Sequence, residues 1–353
     1  MDIIRKEDGT LKIIIVGSFR HEMYASAFSN GFRQLGYDVI DIDYDSYRFC
    51  GKSIISSLLN RVQNRYHYGL KMWKYNREII SKVENEHPDF VFLYRCYHIY
   101  ASTVRTIAGS TKVFSYNNDD PFSGIPSKGY FRHFIADAKY CHINYVYRKK
   151  NIHDFDKIGI KNTKVLLPYF RKADNHPLGC EKDIPLAFLG HFENDGRDQY
   201  ILSLKEAGLP VAVYGDTQWK KSPLYEKIKD VVFPDKRGED YNLTINKCKI
   251  CLVFFSKLNH DTYTRRCFEI PATKTVMLSE YTEDMNELFP ENECAVYFRD
   301  NAELIEKAKW LLVNPSEIDR IANNAYKRLN ELGGTEIDRC KQIVNDYHLI
   351  CKQ

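Results

Sequence analysis

The sequence has no apolar run that approaches the roughly 18 residues a membrane-crossing helix needs. It has little charge of one sign: 51 Lys and Arg stand against 47 Asp and Glu, a net of +4. No nucleic-acid-binding tail follows from that balance, and no nucleic-acid partner is expected. The opening MDIIRKEDGT is polar and charged where a signal peptide would be apolar. A Walker loop, a GxGxxG turn and an HExxH helix are all missing. The ten cysteines are scattered, and only Cys248 and Cys251 form a CxxC, with no second pair or His cluster nearby. That argues against zinc and for free thiols in a reducing compartment, so the cytoplasm is the expected location. What is present is ordinary globular material: 353 residues, 44% hydrophobic and 28% charged. It suits two domains, or one large one, at roughly 150 residues per domain.

The near-neutral total hides an uneven distribution. Residues 1–170 hold 25 Lys and Arg against 17 Asp and Glu, and the remaining 183 hold 26 against 30. Most of the first excess lies in 48–82, with eight basic residues and one acid, Glu78. Trp73, Tyr66, Tyr68, Tyr75, Leu58, Leu59, Leu70 and Met72 are interleaved there. A basic, aromatic helix reads as a contact for a membrane surface, where anionic lipid attracts each Lys or Arg by about 1 kcal/mol. The plainer alternative is a solvated face with its aromatics packed inward.

The apolar run 11–17 ends in glycine and has the pattern of a buried parallel strand. Strands are also expected at 38–42, 89–94, 112–116, 140–147 and 164–167. Helical spacing fills about 22–36 and 53–84. The pattern restarts at 185–190 and 210–215, each again ending in glycine. Further strands are expected at 231–233, 250–255, 275–278 and 295–298, and helices at 302–332 and 336–351. Alternating strands and helices predict parallel sheets. The fold class is therefore α/β, with two doubly wound Rossmann-like units over 1–170 and 171–335 and a last helix over 336–353.

The most informative segment is 259–289, NHDTYTRRCFEIPATKTVMLSEYTEDMNELF. It follows an apolar strand, so Asp261, Arg265, Arg266 and Glu269 fall where α/β sites are built. Two arginines at a helix opening suit a diphosphate, because charge-assisted bonds and the helix dipole add. A carboxylate one turn later can accept both hydroxyls of a ribose. The alternative is a surface helix with an Arg–Glu ion pair.

That segment resembles the C-terminal signature of bacterial glycosyltransferases with the GT-B architecture. It is most similar to the group with a spore-maturation CgeB-like domain, related to family 4 (glycosyl transferases group 1). The pattern Arg-x-x-Glu-x-x-Ala-x-Gly occurs as Arg266, Glu269 and Ala272, with Lys274 in place of the last glycine. Family 4 enzymes carry two glutamates eight residues apart. Glu269 matches the second, which implies a hold on the donor's ribose, and Asp261, a shorter acid, stands at the first. The resemblance implies Arg265 and Arg266 as donor-phosphate ligands. The turn after the first strand of the donor domain approaches the pyrophosphate in such enzymes. Here it runs from Gly190 to Arg197, which implies Arg197 as a further phosphate ligand, and Gly215 lines the base region. The likeness covers about 185–345 well and 11–120 only loosely.

By the same resemblance the first unit holds the acceptor. His21, after the first strand, stands where several inverting GT-B enzymes place a general base, and imidazole suits that task near neutral pH. Asp119 and Asp120 end the fourth strand and are the other candidates, against the alternative of a capping Asp before Pro121. Arg95 is a further residue at a strand end. Asp41-Ile42-Asp43 spells a metal-binding DxD without the surroundings of one. Arginines and a helix dipole manage the leaving diphosphate in GT-B enzymes, so neither a metal nor a cofactor is expected.

The expected protein is a GT-B glycosyltransferase with two Rossmann-like domains facing an interdomain cleft. It moves a sugar from a nucleotide sugar to a glycan or lipid-linked acceptor in bacterial surface polysaccharide synthesis, at the inner face of the membrane. The alternatives are a nucleotide-sugar epimerase and a non-catalytic nucleotide-sugar-binding module.

Overall fold

The computed structural model of the chain describes residues 10–49, 53–124 and 129–352. Residues 1–9, and 50–52 within the basic stretch, lie outside the described residues. The apolar runs that end in glycine are central strands. In β1 (Lys12–Gly17) every residue from Ile13 onward is buried, as a strand covered on both faces requires.

The first unit continues through α1 (Ala25–Gln34), β2 (Asp38–Asp43), α2 (Ile54–Tyr66), α3 (Leu70–Glu86), β3 (Phe90–Tyr94) and α4 (Ala101–Ala108). It ends with β4 (Lys112–Asn117), α5 (Arg132–Asp137), β5 (Ile143–Val146), α6 (Lys149–Lys157) and β6 (Thr163–Val165). The sheet is parallel, in the order β2-β1-β3-β4-β5-β6. The chain steps from β1 out to β2 and returns to the other side of β1 for β3. The order therefore reverses between β1 and β3, and a crevice opens above their C-terminal ends. The single helix expected over 53–84 is two helices. His67 closes α2 in the left-handed region (φ 54°), and Gly69 takes φ 134°, a conformation side chains disfavour.

The second unit runs β7 (Ile184–Leu189), α7 (Arg197–Glu206), β8 (Val211–Gly215), α8 (Tyr225–Ile228), β9 (Val232–Pro234), α9 (Gly238–Lys247) and β10 (Cys248–Val253). It continues with α10 (Arg266–Ala272), β11 (Val276–Glu280), α11 (Glu283–Leu288), β12 (Val296–Phe298), α12 (Asn301–Val313) and α13 (Pro315–Glu331). This sheet is also parallel, ordered β12-β11-β10-β7-β8-β9, so its reversal lies between β7 and β10. Phe188, Trp219, Leu252, Phe254 and Leu278 are among its core residues. The helix expected over 302–332 is divided at Pro315, which has no N–H to continue α12 and opens α13 instead.

α14 (Glu336–Cys351) is last in sequence, yet it belongs to the first unit, which comprises Met1–Leu167 and Glu336–Gln353. The second unit is Pro168–Thr335. Cys340 is buried on α14 and directs its thiol at the carbonyl of Phe28 on α1 (3.6 Å). Asp346 accepts from Tyr145 Oη and Lys164 Nζ, both at 2.7 Å. Arg339 Nε donates to the carbonyl of Leu167 (3.0 Å).

Candidate functional site

In the first unit the crevice between β1 and β3 is a cavity of about 380 Å³. Gly17 and Ser18 line it from the end of β1, and Tyr94, Arg95, Tyr97 and His98 from the end of β3. Tyr44, Asp45 and Arg48 reach it from the turn after β2, and His21 stands at the rim with its ring edge-on to Tyr24 (5.8 Å, 89°). The structure thus brings His21 and Arg95 together in one cavity.

Arg95 has a left-handed backbone (φ 52°). Such a residue costs roughly 1–3 kcal/mol and persists only where its surroundings dictate it. Here Nη2 donates to Asp119 Oδ2 at 2.6 Å and Nε to Tyr97 Oη at 3.1 Å. The guanidinium also lies 5.0 Å from the centre of the Tyr24 ring. Burial opposes its charge, but Tyr97 and Asp119 outweigh that and hold its pKa above the ordinary value. Tyr97 Oη lies 2.8 Å from Asp119 Oδ2 and 3.0 Å from Asn117 Oδ1. Burial, with Asp119 adding, pushes that phenol well up, so it stays a donor. Asp119 therefore acts on the cavity through Arg95 and Tyr97.

Asp120 is placed differently from the expectation. Its side chain is fully enclosed, accepting from Asn151 Nδ2 (2.8 Å) and the N–H of Phe122 (2.9 Å). A carboxylate used in this way ties the segment after β4 to α6. The discounted Asp41–Asp43 pair is structural too. Asp41 pairs with Arg33 (2.8 Å), and Asp43 accepts from the N–H of Asp45 (3.0 Å).

The sequence reading missed the imidazoles behind the cavity. His98 stacks on Tyr44 (4.1 Å, 17°) and meets His67 edge-on, and His67 lies 6.0 Å from His133. Burial, then the neighbouring His67, His133 and Arg48, drives His98 well below its ordinary range. Burial first, and positive neighbours second, lowers His67 and His133 to about 4. These rings form a neutral wall. Three separate segments supply them, so no local motif announced the group.

In the second unit the reversal between β7 and β10 places Gly190 beside the segment that leads into α10. Arg266, the first residue of α10, lies against Gly190. A Cβ on Gly190 would collide with Nη2 of Arg266 and stand 3.0 Å from its Cζ and 2.9 Å from Phe188 Cζ. Only glycine permits that approach. The guanidinium is 5.4 Å from the Phe188 ring centre, half-buried, and without a carboxylate partner among the described residues. Glu269, one turn on, is buried, and Tyr241 Oη donates to its Oε2 at 2.8 Å. Burial, with Glu269 adding, pushes the Tyr241 phenol well up and keeps it a donor. Arg265 Nε stands 4.0 Å from Glu269 Oε1, and its guanidinium covers the Tyr169 ring (5.0 Å). Asp261 lies in the loop before α10 and accepts from Asn259 Nδ2 (3.4 Å). Gly215 ends β8 against Trp219, whose Nε1 donates to the carbonyl of Gly190 (2.9 Å).

Arg197 departs from expectation. It is only 2% exposed. Its Nε and Nη2 reach the two carboxylate oxygens of Asp195 at 2.9 and 2.5 Å, and Nη1 donates to the carbonyl of His191 at 2.8 Å. That bidentate pair and backbone bond occupy the guanidinium fork. In this arrangement Arg197 shapes the turn from Gly190 to α7. Neighbouring Glu193 is pushed up by burial, but hydrogen bonds from His191 and Ser256 and the charge of Arg197 win and hold it at about 2. Cys248 and Cys251 lie buried in β10. Among the described residues, no group of three or more His, Cys, Asp or Glu is placed to hold a metal ion.

Residues 197–343 match the family model described as Glycosyl transferase-like. No curated protein matches the chain significantly. Among solved structures, a glycosyltransferase from Rickettsia africae ESF-5 superposes with a TM-score of 0.69 at 12% identity, covering 98% of this chain and 100% of that one. Sucrose-phosphate synthase from Thermosynechococcus elongatus gives 0.67 at 10%, covering 97% and 99%. HepE from Anabaena, in complex with UDP and glucose, gives 0.64 at 12%, covering 95% and 99%. Two parallel six-stranded sheets with flanking helices are the GT-B glycosyltransferase fold. The chain has that fold.

Proposed function

We propose that the protein is a glycosyltransferase that moves a sugar from a nucleotide-activated donor to a hydroxyl of a glycan or lipid-linked acceptor, in the building of bacterial surface polysaccharide. One observation carries the reading: Arg266, half-buried and without a carboxylate partner among the described residues, held against Gly190 with Glu269 one turn away. A guanidinium in that state is a receptor for a diphosphate, since its charge is partly desolvated and its donors are not consumed by an acid. Glu269, fixed by Tyr241, is suited to accept from the two ribose hydroxyls. As the sugar departs, charge develops on the diphosphate, and Arg266 stabilises it where it forms. Arg265 adds a second positive charge at the same helix opening.

The first unit receives the acceptor. Its cavity offers aromatic walls, the Arg95 guanidinium and, at the rim, His21, an imidazole suited to take the acceptor's proton. Asp119 acts as a positioning residue through Arg95 and Tyr97. This activity calls for neither a metal nor a cofactor, since positive side chains supply the charge.

Anabaena HepE is in complex with UDP and glucose, so UDP and UDP-glucose are the first probes, followed by a panel of nucleotide sugars in a thermal-shift assay. At least one should raise the melting temperature, and Glu269→Ala should abolish that shift. A shift that survives Glu269→Ala refutes the ribose role, and no shift with any nucleotide sugar refutes the transferase reading. Product formed without an acceptor would favour an epimerase instead.

A further inference from the structure

α2 is an amphipathic helix turned outward. Its inward contacts are polar. Asn60 exchanges hydrogen bonds with the backbone N–H and carbonyl of Phe49 (2.9 and 2.7 Å), and Gln63 Nε2 donates to the carbonyl of Tyr47 (3.3 Å). Its apolar residues Ile54, Ile55, Leu58, Leu59, Val62 and Tyr66 recur at three- and four-residue spacing along one side. All are exposed, Ile54 at 87% and Leu58 at 59%. A surface helix of a globular protein ordinarily buries that stripe and leaves its polar side in water. Leu70 and Trp73, at the start of α3, are exposed as well. An exposed apolar stripe of this length marks a surface that meets something.

The charges around it say what. At 100° per residue, Arg61 and Arg65 fall on one border of the stripe, and both are exposed. Lys74 and Arg77 are exposed on α3, and Arg77 lies over the Trp73 ring (5.1 Å). Basic side chains bordering apolar ones match phosphate headgroups above acyl chains. A second copy of the chain would set these like charges against each other. The helix has 13 residues, against the roughly 20 a span needs. No helix among the described residues is long and apolar enough to cross a membrane. A lying position is what remains.

We propose that α2, with the first turn of α3, docks the protein on an anionic lipid surface, the apolar stripe entering the acyl boundary and Arg61 and Arg65 meeting the headgroups. The proposal deepens the lipid-linked acceptor reading, but its support lies wholly in the first unit, so it and the donor assignment can fail separately.

The full chain is sedimented with phosphatidylcholine vesicles with and without phosphatidylglycerol, at low and high salt. The expected result is binding to the phosphatidylglycerol vesicles that weakens with salt. The double variant Leu58→Glu/Val62→Glu should lose at least about tenfold in partitioning. Arg61→Gln/Arg65→Gln should lose roughly twenty-five-fold on anionic vesicles, at about a fivefold loss for each charge removed. All four positions are exposed, so circular dichroism should show both variants folded. Failure of the unaltered chain to bind anionic vesicles overturns the proposal, as does equal binding by Leu58→Glu/Val62→Glu. A dimer in light scattering that the glutamates disperse would also overturn it, by giving the face to a second copy.

Discussion

Gly190→Ala tests the donor site through a single carbon atom. The new Cβ would stand 3.0 Å from Arg266 Cζ and 2.9 Å from Phe188 Cζ, and closer still to Nη2 of Arg266. Overpacking of this kind costs about 1–3 kcal/mol. The nearest obstacle is the far end of a flexible side chain, which can swing aside, so the loss should lie near 1 kcal/mol. For a unit of this size that is a fall of roughly 2–4 °C in melting temperature. The displaced guanidinium carries the larger consequence. A hydrogen bond to a charged group is worth about 1.5–3 kcal/mol, so UDP should bind at least about tenfold more weakly. With UDP at about 100 times the original Kd, ligand stabilisation is roughly 2.7 kcal/mol; a tenfold loss leaves about half of it. Scanning calorimetry of the unaltered protein, Gly190→Ala, Arg266→Ala and the double variant, each with and without UDP, measures both effects. If the methyl acts by displacing Arg266, the affinity losses of the two single variants do not add in the double, whereas the stability loss from Phe188 persists. Full additivity of the affinity losses, or an unchanged UDP shift in Gly190→Ala, would refute the reasoning.

Three more outcomes are expected. Tyr241→Phe removes the hydroxyl that fixes Glu269 and should weaken UDP by about fivefold while leaving inorganic diphosphate unaffected; titration calorimetry that finds equal losses on both ligands rules out the ribose role. Arg197→Ala leaves the enclosed Asp195 carboxylate without its partner and should cost about 3–5 kcal/mol in urea unfolding; a loss below about 1 kcal/mol would contradict the structural role given to the pair. His67 and His133 are held near 4, against an ordinary value of about 6.5. Between those values the unfolded chain binds protons that the folded one refuses, so stability is complete above about pH 6.5 and falls as pH drops toward 4. His67→Gln should flatten that slope in urea midpoints measured across the window, and an identical slope would count against the buried imidazoles.

The central strands were legible because they are nearly continuous apolar sequence, the mark of a sheet covered on both faces. Phe90–Tyr94 is buried throughout. Helix ends were less legible. The break at His67–Gly69 depends on left-handed backbone at two positions, and only one of them is glycine. The region of the second site was legible as well, because strand, loop and helix opening follow one another over 250–272. The cavity of the first unit was not. Tyr44 and Arg48 come from the turn after β2, Arg95 and His98 from the turn after β3, and only the order β2-β1-β3 brings those turns to one crevice.

Sequence gives the residue type at a position but not the partner that uses it up, and the three arginines of the second unit make this concrete. Arg197, Arg265 and Arg266 were equal candidates for a diphosphate. Arg197 has an acid two residues away, and Gly196 (φ 97°) turns the chain so that Asp195 meets both arms of the fork. Arg265 shares its field with Glu269 at 4.0 Å. Arg266 alone of the three is held mainly by apolar and backbone surroundings, with a ring on one side and a glycine on the other. The same reasoning explains α2. Its composition announced a basic, aromatic helix, but whether the apolar stripe faces in or out depends on what the polar side can bond. Asn60 and Gln63 find the backbone of 47–49, and this polar anchorage leaves the stripe outside. Replacing both with leucine would remove the anchorage without changing the stripe. The expected result is a helix that detaches or rolls inward, read as faster proteolysis at 53–66 or as loss of binding to anionic vesicles. Unchanged cleavage and unchanged binding together would show that something other than these two side chains sets the orientation of α2.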